Sequence, residues 1–200
     1  MLTDHLRRFF ARFVNPLAAR LAGWGVTPDG VTLFGTVGAT ASALVFFTRG
    51  WFFVGTLLVW AFVTLDMVDG AVARVVGSTA FGAVLDSTCD RVVDAAVFAG
   101  IGWYFAFHVH PAQRWMTLGC LLCLVLGSLT SYIRARAEGA GLTANVGLAE
   151  RTERLIIVLV GTGLSGLGLP FVQAVALWAL VGLATITVGQ RLATVRAQTR

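Results

Sequence analysis

The sequence predicts an all-α integral membrane protein with six transmembrane helices, preceded by an N-terminal interfacial amphipathic helix. Hydrophobic residues make up 57% of the 200 residues and charged residues only 12%, about half the charge of an ordinary soluble domain. The hydrophobic residues also fall into runs close to twenty residues long, the length of helix that crosses the hydrocarbon core of a bilayer. These two observations exclude a soluble globular domain.

The first segment, residues 1–22, carries too much charge to be the apolar core of a signal peptide. Its apolar residues, among them Leu6, Phe9 and Phe13, recur at helical spacing with arginines beside them. This pattern predicts a helix that lies in the membrane interface and does not cross it.

Six apolar stretches follow within residues 29–196, separated by short polar segments or by glycine and proline. We predict transmembrane helices over residues 31–48, 52–75, 82–107, 115–135, 153–169 and 171–190. No internal repeat or soluble insertion interrupts them, so we expect one membrane domain over residues 1–200.

The distribution of the fifteen basic residues, all of them arginines, predicts the orientation. With a cytoplasmic N-terminus, only Arg49 and Arg114 lie on the outer side, as the positive-inside rule requires. We therefore expect a multi-pass protein of the cell membrane with its N-terminus in the cytoplasm. The formal net charge of +5 favours anionic membrane lipid and phosphate as partners over nucleic acid.

Half of the ten acidic residues lie between residues 66 and 94, where one predicted span ends and the next begins. A carboxylate in the hydrocarbon region costs about 2.5–3.5 kcal/mol, so intramembrane acids are functional candidates. Asp66 and Asp69 share one helix face with small residues, and Asp86 and Asp90 lie one turn apart on the next helix. We expect the helical hairpin to bring the two pairs together.

Four carboxylates that face one another raise each other's pKa unless cations bind between them. Ligands that are all carboxylate oxygens favour a hard divalent ion, and four acids suffice for two ions. We therefore predict two Mg²⁺ ions, with Mn²⁺ as the alternative. For the fifth acid, Asp94, we expect an ordinary surface ion pair with Arg91.

The residues now assembled form a spaced pattern, Asp66-x2-Asp69-Gly70-x2-Ala73-Arg74-x7-Gly82-x3-Asp86-x3-Asp90. This pattern resembles the signature of the CDP-alcohol phosphatidyltransferases, six-span and commonly homodimeric enzymes that transfer a substituted phosphoryl group from a CDP-linked lipid to an alcohol. The resemblance implies that the four acids hold the metal ions and that Asp90 is also the catalytic base. It implies binding of CDP-diacylglycerol at Asp29, Gly30, Val31, Thr32, Gly70, Ala73, Arg74, Thr79 and Gly82.

A second group of polar residues lies at the predicted cytoplasmic level, namely Ser131, Arg134, Arg136, Arg154 and Arg191. Arginines collect in any inner loop, but together these residues can form a pocket for a phosphate that the acceptor carries. The stretches FGAVLDSTCDR, SYIRARAE and ER-x-ERL resemble those of the phosphatidylinositol phosphate synthases of actinobacteria. That resemblance implies an inositol phosphate as the acceptor.

Two alternatives stay open at this point. A phosphatidylglycerophosphate synthase, which uses glycerol 3-phosphate, would keep the same acids and also need a phosphate pocket. A divalent-cation transporter would use the intramembrane acids as its ion site. The transporter leaves the glycines and Arg74 of the pattern unexplained.

Overall fold

The computed structural model describes residues 16, 18–109, 111, 113–148 and 150–199, except for the side chains of Asp66 and Met67. The predicted interfacial helix over residues 1–22 therefore lies mostly outside the described residues. The described part is all-helical and contains no strand. Residues 18–23 are helical. The elements that follow are α1 (Pro28–Phe46), a 3-10 helix (Phe47–Arg49), α2 (Phe52–Val63), α3 (Leu65–Val76), α4 (Ala80–Phe107), α5 (Arg114–Gly139), α6 (Arg151–Gly166) and α7 (Val172–Gln198).

Four segments of the described chain are long and apolar enough to cross a membrane, namely Pro28–Arg49, Phe52–Val76, Arg114–Gly139 and Val172–Gln198. Helix α4 has 28 residues, but Asp86, Asp90 and Asp94 interrupt its apolar residues. Helix α6 has 16 residues and is about 24 Å long. The described part of this membrane protein is thus all-helical with four candidate spans, and the count of six spans stays a prediction.

The predicted span over residues 52–75 consists of two consecutive helices that meet at Thr64. The Thr64 hydroxyl donates a hydrogen bond of 2.7 Å to the carbonyl of Trp60, one turn earlier. Back-bonding by threonine bends some helices, but the same contact at Thr185 leaves α7 continuous. The break separates the apolar α2 from α3, which begins immediately before Asp66.

The described structure divides into two compact units. The first unit comprises the chain up to Ala41 together with Leu58–Val93. Its core packs α1 against α3 through Val31, Val68 and Val72. Gly35 allows a close approach here, because a Cβ at this position would lie 3.1 Å from the carbonyl oxygen of Phe62. The first unit therefore holds α3 and the start of α4 beside the N-terminal part of α1.

The second unit comprises Ser42–Leu57 and the chain from Asp94 onward. The Phe52 ring packs edge-on against Tyr104, with a centroid separation of 4.8 Å. Helix α7 packs against both α5 and α6. The expected single membrane domain over residues 1–200 stays a prediction.

Candidate active site

Two helix N-termini of the first unit line one cavity. Thr27 caps α1, because its hydroxyl oxygen accepts a hydrogen bond of 3.2 Å from the amide of Gly30. Thr79 caps α4 in the same way, accepting a bond of 2.9 Å from the amide of Gly82. Threonine is a favoured cap residue, and each N-terminus carries a partial positive charge. The cavity therefore has two features that favour an anionic ligand.

Gly82 allows these two N-termini to contact each other. A Cβ at this position would lie 3.0 Å from Oδ1 of Asp29 and 3.1 Å from the hydroxyl of Thr79. A Cβ there would be closer than an ordinary contact, so Asp29 and Thr79 would have to shift by a few tenths of an ångström. Close approach, and not backbone conformation, is therefore the reason for glycine at this signature position.

The cavity has a volume of ≈ 560 Å³, within the usual range for small-molecule sites. Six residues predicted to bind CDP-diacylglycerol line it, namely Asp29, Thr32, Gly70, Ala73, Thr79 and Gly82. Two of the predicted metal ligands, Asp69 and Asp86, line it as well. The structure thus brings most of the sequence pattern to one place.

Asp69 is the buried acid of the cavity, with 7% of its surface exposed. Its Oδ2 accepts a hydrogen bond of 2.5 Å from the hydroxyl of Thr32. Charge-assisted bonds of this type are short and strong. This bond fixes the Asp69 side chain and joins α3 to α1.

The two acids of α4 differ in exposure. Asp86 is exposed and belongs to the cavity lining, whereas Asp90 lies one turn further along the helix and is half-buried. Oδ2 of Asp90 lies 3.9 Å from Nη2 of Arg91. Asp86 therefore lines the cavity, and Asp90 lies one helical turn beyond the residues that the structure shows lining it.

Among the side chains that the structure describes, no three Asp, Glu, His or Cys residues are close enough to share a metal ion. The Asp66 side chain is not among them. Asp69 and Asp86 nevertheless present carboxylate oxygens to the same cavity. Such a donor set is chemically suited to a hard divalent cation.

The other three predicted positions for CDP-diacylglycerol have different surroundings. Gly30 is in the first turn of α1 and bonds to its cap. The side chain of Val31 is buried in the core of the first unit. Arg74 is exposed, and its Nη1 lies 3.9 Å from the place that a Cβ on Gly70 would occupy. The Arg74 side chain therefore lies back along α3 beside a residue of the cavity.

The predicted acceptor residues lie in the second unit, and two of them are buried. Arg154 donates a hydrogen bond of 2.9 Å to Oδ2 of Asp94 and one of 3.1 Å to the hydroxyl of Thr130. Arg191 donates to the carbonyl of Thr130 at 2.5 Å and to that of Val146 at 2.9 Å. Thr130 therefore links the two buried arginines.

The other three acceptor residues are closer to the surface. Ser131 is half-buried, and its hydroxyl donates to the carbonyl of Gly127 at 3.3 Å. Arg134 is exposed and pairs with Glu138 at 2.9 Å, and Arg136 is exposed in the last turn of α5. The group thus combines buried and exposed cations within the second unit.

The expectation that Asp94 lies at the surface is wrong, because Asp94 is buried and bonded to Arg154. Residues 94 and 154 are 60 positions apart, so local spacing does not reveal this partner. Sequence analysis also missed Thr27 and Thr130. The run Thr-Pro-Asp at residue 27 is a helix-start signal that could have identified Thr27, whereas no local pattern marks Thr130.

Comparison with known proteins bears directly on this arrangement. The model of the family described as CDP-alcohol phosphatidyltransferase matches residues 25–188. The chain belongs to this family. It is therefore a transferase, and the resemblance of its acid-rich pattern to the signature of that family is confirmed.

Several CDP-alcohol phosphatidyltransferases resemble this chain over most of their length. The phosphatidylinositol phosphate synthase of Mycobacterium marinum is 49% identical over 195 residues, which cover 94% of this chain and 82% of that protein. A crystal structure of the Mycobacterium tuberculosis phosphatidylinositol phosphate synthase with CDP-DAG bound matches with a TM-score of 0.89 and 48% identity. The match covers 92% of this chain and 94% of that one.

A second crystal structure of the M. tuberculosis enzyme contains manganese and citrate. It matches with a TM-score of 0.87 and 47% identity, over 91% of this chain and 88% of that one. A divalent ion bound to so similar a protein supports the use of a divalent metal in this family.

Proposed function

We propose that this protein is a phosphatidylinositol phosphate synthase. It transfers the phosphatidyl group from CDP-diacylglycerol to a hydroxyl of 1D-myo-inositol 3-phosphate, also numbered inositol 1-phosphate, and releases CMP. The observation that carries this proposal is the cavity that gathers Asp69, Asp86 and six of the positions predicted to bind CDP-diacylglycerol. The similarity to synthases at 49% identity supports the same substrates.

The cavity of the first unit binds the CDP part of the lipid substrate. The N-termini of α1 and α4 supply partial positive charge for the diphosphate. Arg74 adds a full positive charge beside Gly70. Gly82 keeps the α1 and α4 N-termini close enough to act on one ligand.

Asp66, Asp69, Asp86 and Asp90 are the residues that would hold two divalent ions, Mg²⁺ or alternatively Mn²⁺. Such ions, when bound, neutralise the diphosphate and stabilise the departing CMP. The manganese complex of the M. tuberculosis enzyme supports this assignment. Thr32 orients Asp69 for its part in the set.

Asp90 acts as the general base. The acceptor oxygen attacks the phosphorus of the phosphatidyl group, a new O–P bond forms, and the bond from that phosphorus to the CMP oxygen breaks. Asp90 takes the proton from the attacking hydroxyl, and the electron pair of the broken bond leaves with CMP. A half-buried carboxylate next to the cavity lining is suited to this role.

The acceptor carries a phosphate of its own, which binds at Ser131, Arg134, Arg136, Arg154 and Arg191. Guanidinium groups bind phosphate with paired hydrogen bonds, and several together offset its double charge. The contacts of Arg154 and Arg191 to Thr130 support their assignment to one group.

We also propose a homodimer in the cell membrane, with six spans and with the N-terminus and active site in the cytoplasm. Helices α4 and α6 supply the two spans beyond the four recognised by length and composition. The exposed side chains of Trp51, Trp103 and Trp115 fit an aromatic belt at the outer interface. Labelling of single cysteines next to Arg49 and Arg114 in intact cells tests the orientation.

The test of function uses the purified protein with CDP-diacylglycerol, Mg²⁺ and one of three acceptors. We expect CMP release with inositol phosphate to exceed that with glycerol 3-phosphate or free inositol. Preference for glycerol 3-phosphate would show that the protein is a phosphatidylglycerophosphate synthase instead. Cation flux into liposomes without CMP release would establish the transporter.

A further inference from the structure

A buried chain of polar contacts in the second unit begins at Asp94. Its Oδ2 lies 2.9 Å from Nη2 of Arg154, and its Oδ1 lies 3.8 Å from Nε of Arg151. Asp94 is 8% exposed and Arg154 only 3%. A buried guanidinium needs a close counter-charge, because leaving its charge uncompensated costs several kcal/mol. The Asp94 carboxylate provides that charge.

Thr130 continues the chain on the other side of Arg154. Its hydroxyl donates its proton to the carbonyl of Gly127 at 2.8 Å and accepts a hydrogen bond from Nη1 of Arg154 at 3.1 Å. Gly127 leaves room for the guanidinium, since a Cβ there would lie 3.4 Å from Nε of Arg154. Arg154 is therefore held on one side by a charge and on the other by an oriented hydroxyl.

The carbonyl of the same threonine accepts the hydrogen bond from Arg191. One continuous path thus runs from Asp94 on α4 through Arg154 on α6 and Thr130 on α5 to Arg191 on α7. The positive charges of Arg134 and Arg154 act on Arg191, and the negative charges of Glu150 and Glu138 oppose them there. Asp94 supplies the negative charge at the Arg154 end of the path.

We infer that Asp94 is a positioning residue for the acceptor site: it fixes the Arg154 guanidinium, and through Thr130 the Arg191 guanidinium, in the arrangement that receives the acceptor's phosphate. This inference rests on the proposed function, which assigns those two arginines to the phosphate. Asp94 itself contacts the arginines and not the substrate. It acts by keeping two mutually repelling cations in place before the phosphate binds.

The test is Asp94→Asn, which keeps the shape and one acceptor oxygen but removes the charge. We expect the KM for inositol phosphate to rise about tenfold or more, because a charged hydrogen bond is lost, while the KM for CDP-diacylglycerol and kcat change less than about threefold. The matched control is Gln173→Met, which breaks a different buried contact of the second unit, the 3.2 Å bond from Gln173 to Thr162. That control should leave both KM values unchanged.

A second variant tests the path even if Asp94→Asn does not fold. Thr130→Val keeps all charges and nearly the same shape but removes the hydroxyl that Arg154 contacts. It should raise the KM for inositol phosphate selectively, by about threefold to tenfold for a lost hydrogen bond. Thermal unfolding in detergent shows whether each variant is folded.

Different results would contradict the proposed function and the positioning role of Asp94. If the wild-type protein releases no CMP with inositol phosphate, the proposed function is wrong. If it does, and a folded variant of Asp94 or Thr130 shows an unchanged KM for inositol phosphate, the positioning role is wrong. An equal rise in the KM of both substrates also overturns it, because a merely structural contact would affect both.

Discussion

The hydroxyl of Thr32 on α1 donates a 2.5 Å hydrogen bond to Oδ2 of Asp69 on α3. The two residues are 37 positions apart, and both line the cavity. Asp69 is a proposed metal ligand, so the orientation of its side chain determines where its carboxylate oxygen can contact an ion. Groups that hydrogen-bond to metal ligands in this way typically change metal affinity 10–100-fold when removed.

Thr32→Val should therefore weaken the response to Mg²⁺. We expect the Mg²⁺ concentration that gives half-maximal CMP release to rise about tenfold, because Asp69 loses the donor that fixes it. Thr32→Ser is the matched control, since it keeps the hydroxyl and should restore the wild-type response. If Thr32→Val and the wild-type protein showed the same Mg²⁺ dependence, a role for Thr32 in the metal site would be contradicted.

Gly82→Ala should weaken binding of CDP-diacylglycerol. The added methyl group would lie 3.0 Å from Oδ1 of Asp29, so Asp29 or the α4 N-terminus must shift. We expect the KM for CDP-diacylglycerol to rise about tenfold, as a small displacement of binding groups can cause. The matched control is Gly182→Ala in α7, where a Cβ meets nothing within 4 Å.

Gly182 lies in the interior of α7, where alanine gains about 1 kcal/mol of helix propensity, whereas Gly82 lies in the first turn of α4 and gains less. Thermal unfolding in detergent shows whether each variant is folded. An unchanged KM in Gly82→Ala, measured at saturating acceptor, would show that the contact between Asp29 and α4 does not matter for the substrate.

Periodicity and spacing predict the helical segments and the approach of acids on two consecutive helices, because these features are local in sequence, whereas the CDP-diacylglycerol positions were implied by the family resemblance. The intervals of three and four residues in Asp66 to Asp90 follow directly from helix geometry. The structure then brings Asp69 and Asp86 to one cavity, as the pattern predicts. The break between α2 and α3 at Thr64 was not predicted, because apolar residues lie on both sides of it.

Contacts between distant parts of the chain could not be predicted in this way. Asp94 resembles a surface acid in sequence because Arg91 lies three positions before it. Its burial depends on Arg154, 60 positions away, and on how α4 packs against α6. Thr130 is likewise inconspicuous in sequence, because its role arises from partners 24 and 61 positions away.

Asp90→Asn should lower the rate of CMP release and largely preserve the binding of CDP-diacylglycerol. The amide cannot accept the hydroxyl proton, so we expect CMP release to fall at least about 100-fold, the usual contribution of a general base. Binding of CDP-diacylglycerol in Mg²⁺, measured by equilibrium dialysis, should largely survive because three acids remain. Glu153→Gln, at an exposed acid in the first turn of α6, is the control for loss of one negative charge. Near-wild-type turnover of Asp90→Asn would show that Asp90 is not the general base.

Arg136→Ala should weaken binding of the acceptor and leave binding of the lipid substrate unchanged. Arg136 is exposed in the last turn of α5, and Arg196 is exposed in the last turn of α7, so the two arginines are matched in helix position and exposure. Their interactions with the helix dipoles are equivalent, and alanine at either position should cost similar stability. Only Arg136 belongs to the proposed phosphate group.

We therefore expect Arg136→Ala to raise the KM for inositol phosphate about tenfold, the effect of losing one charge-assisted bond to phosphate, with little change for CDP-diacylglycerol. Arg196→Ala should change neither value. Steady-state CMP release at varied acceptor and fixed saturating lipid substrate measures the difference. Equal effects of the two alanines would mean that general positive charge at the cytoplasmic surface, and not a defined pocket, attracts the acceptor.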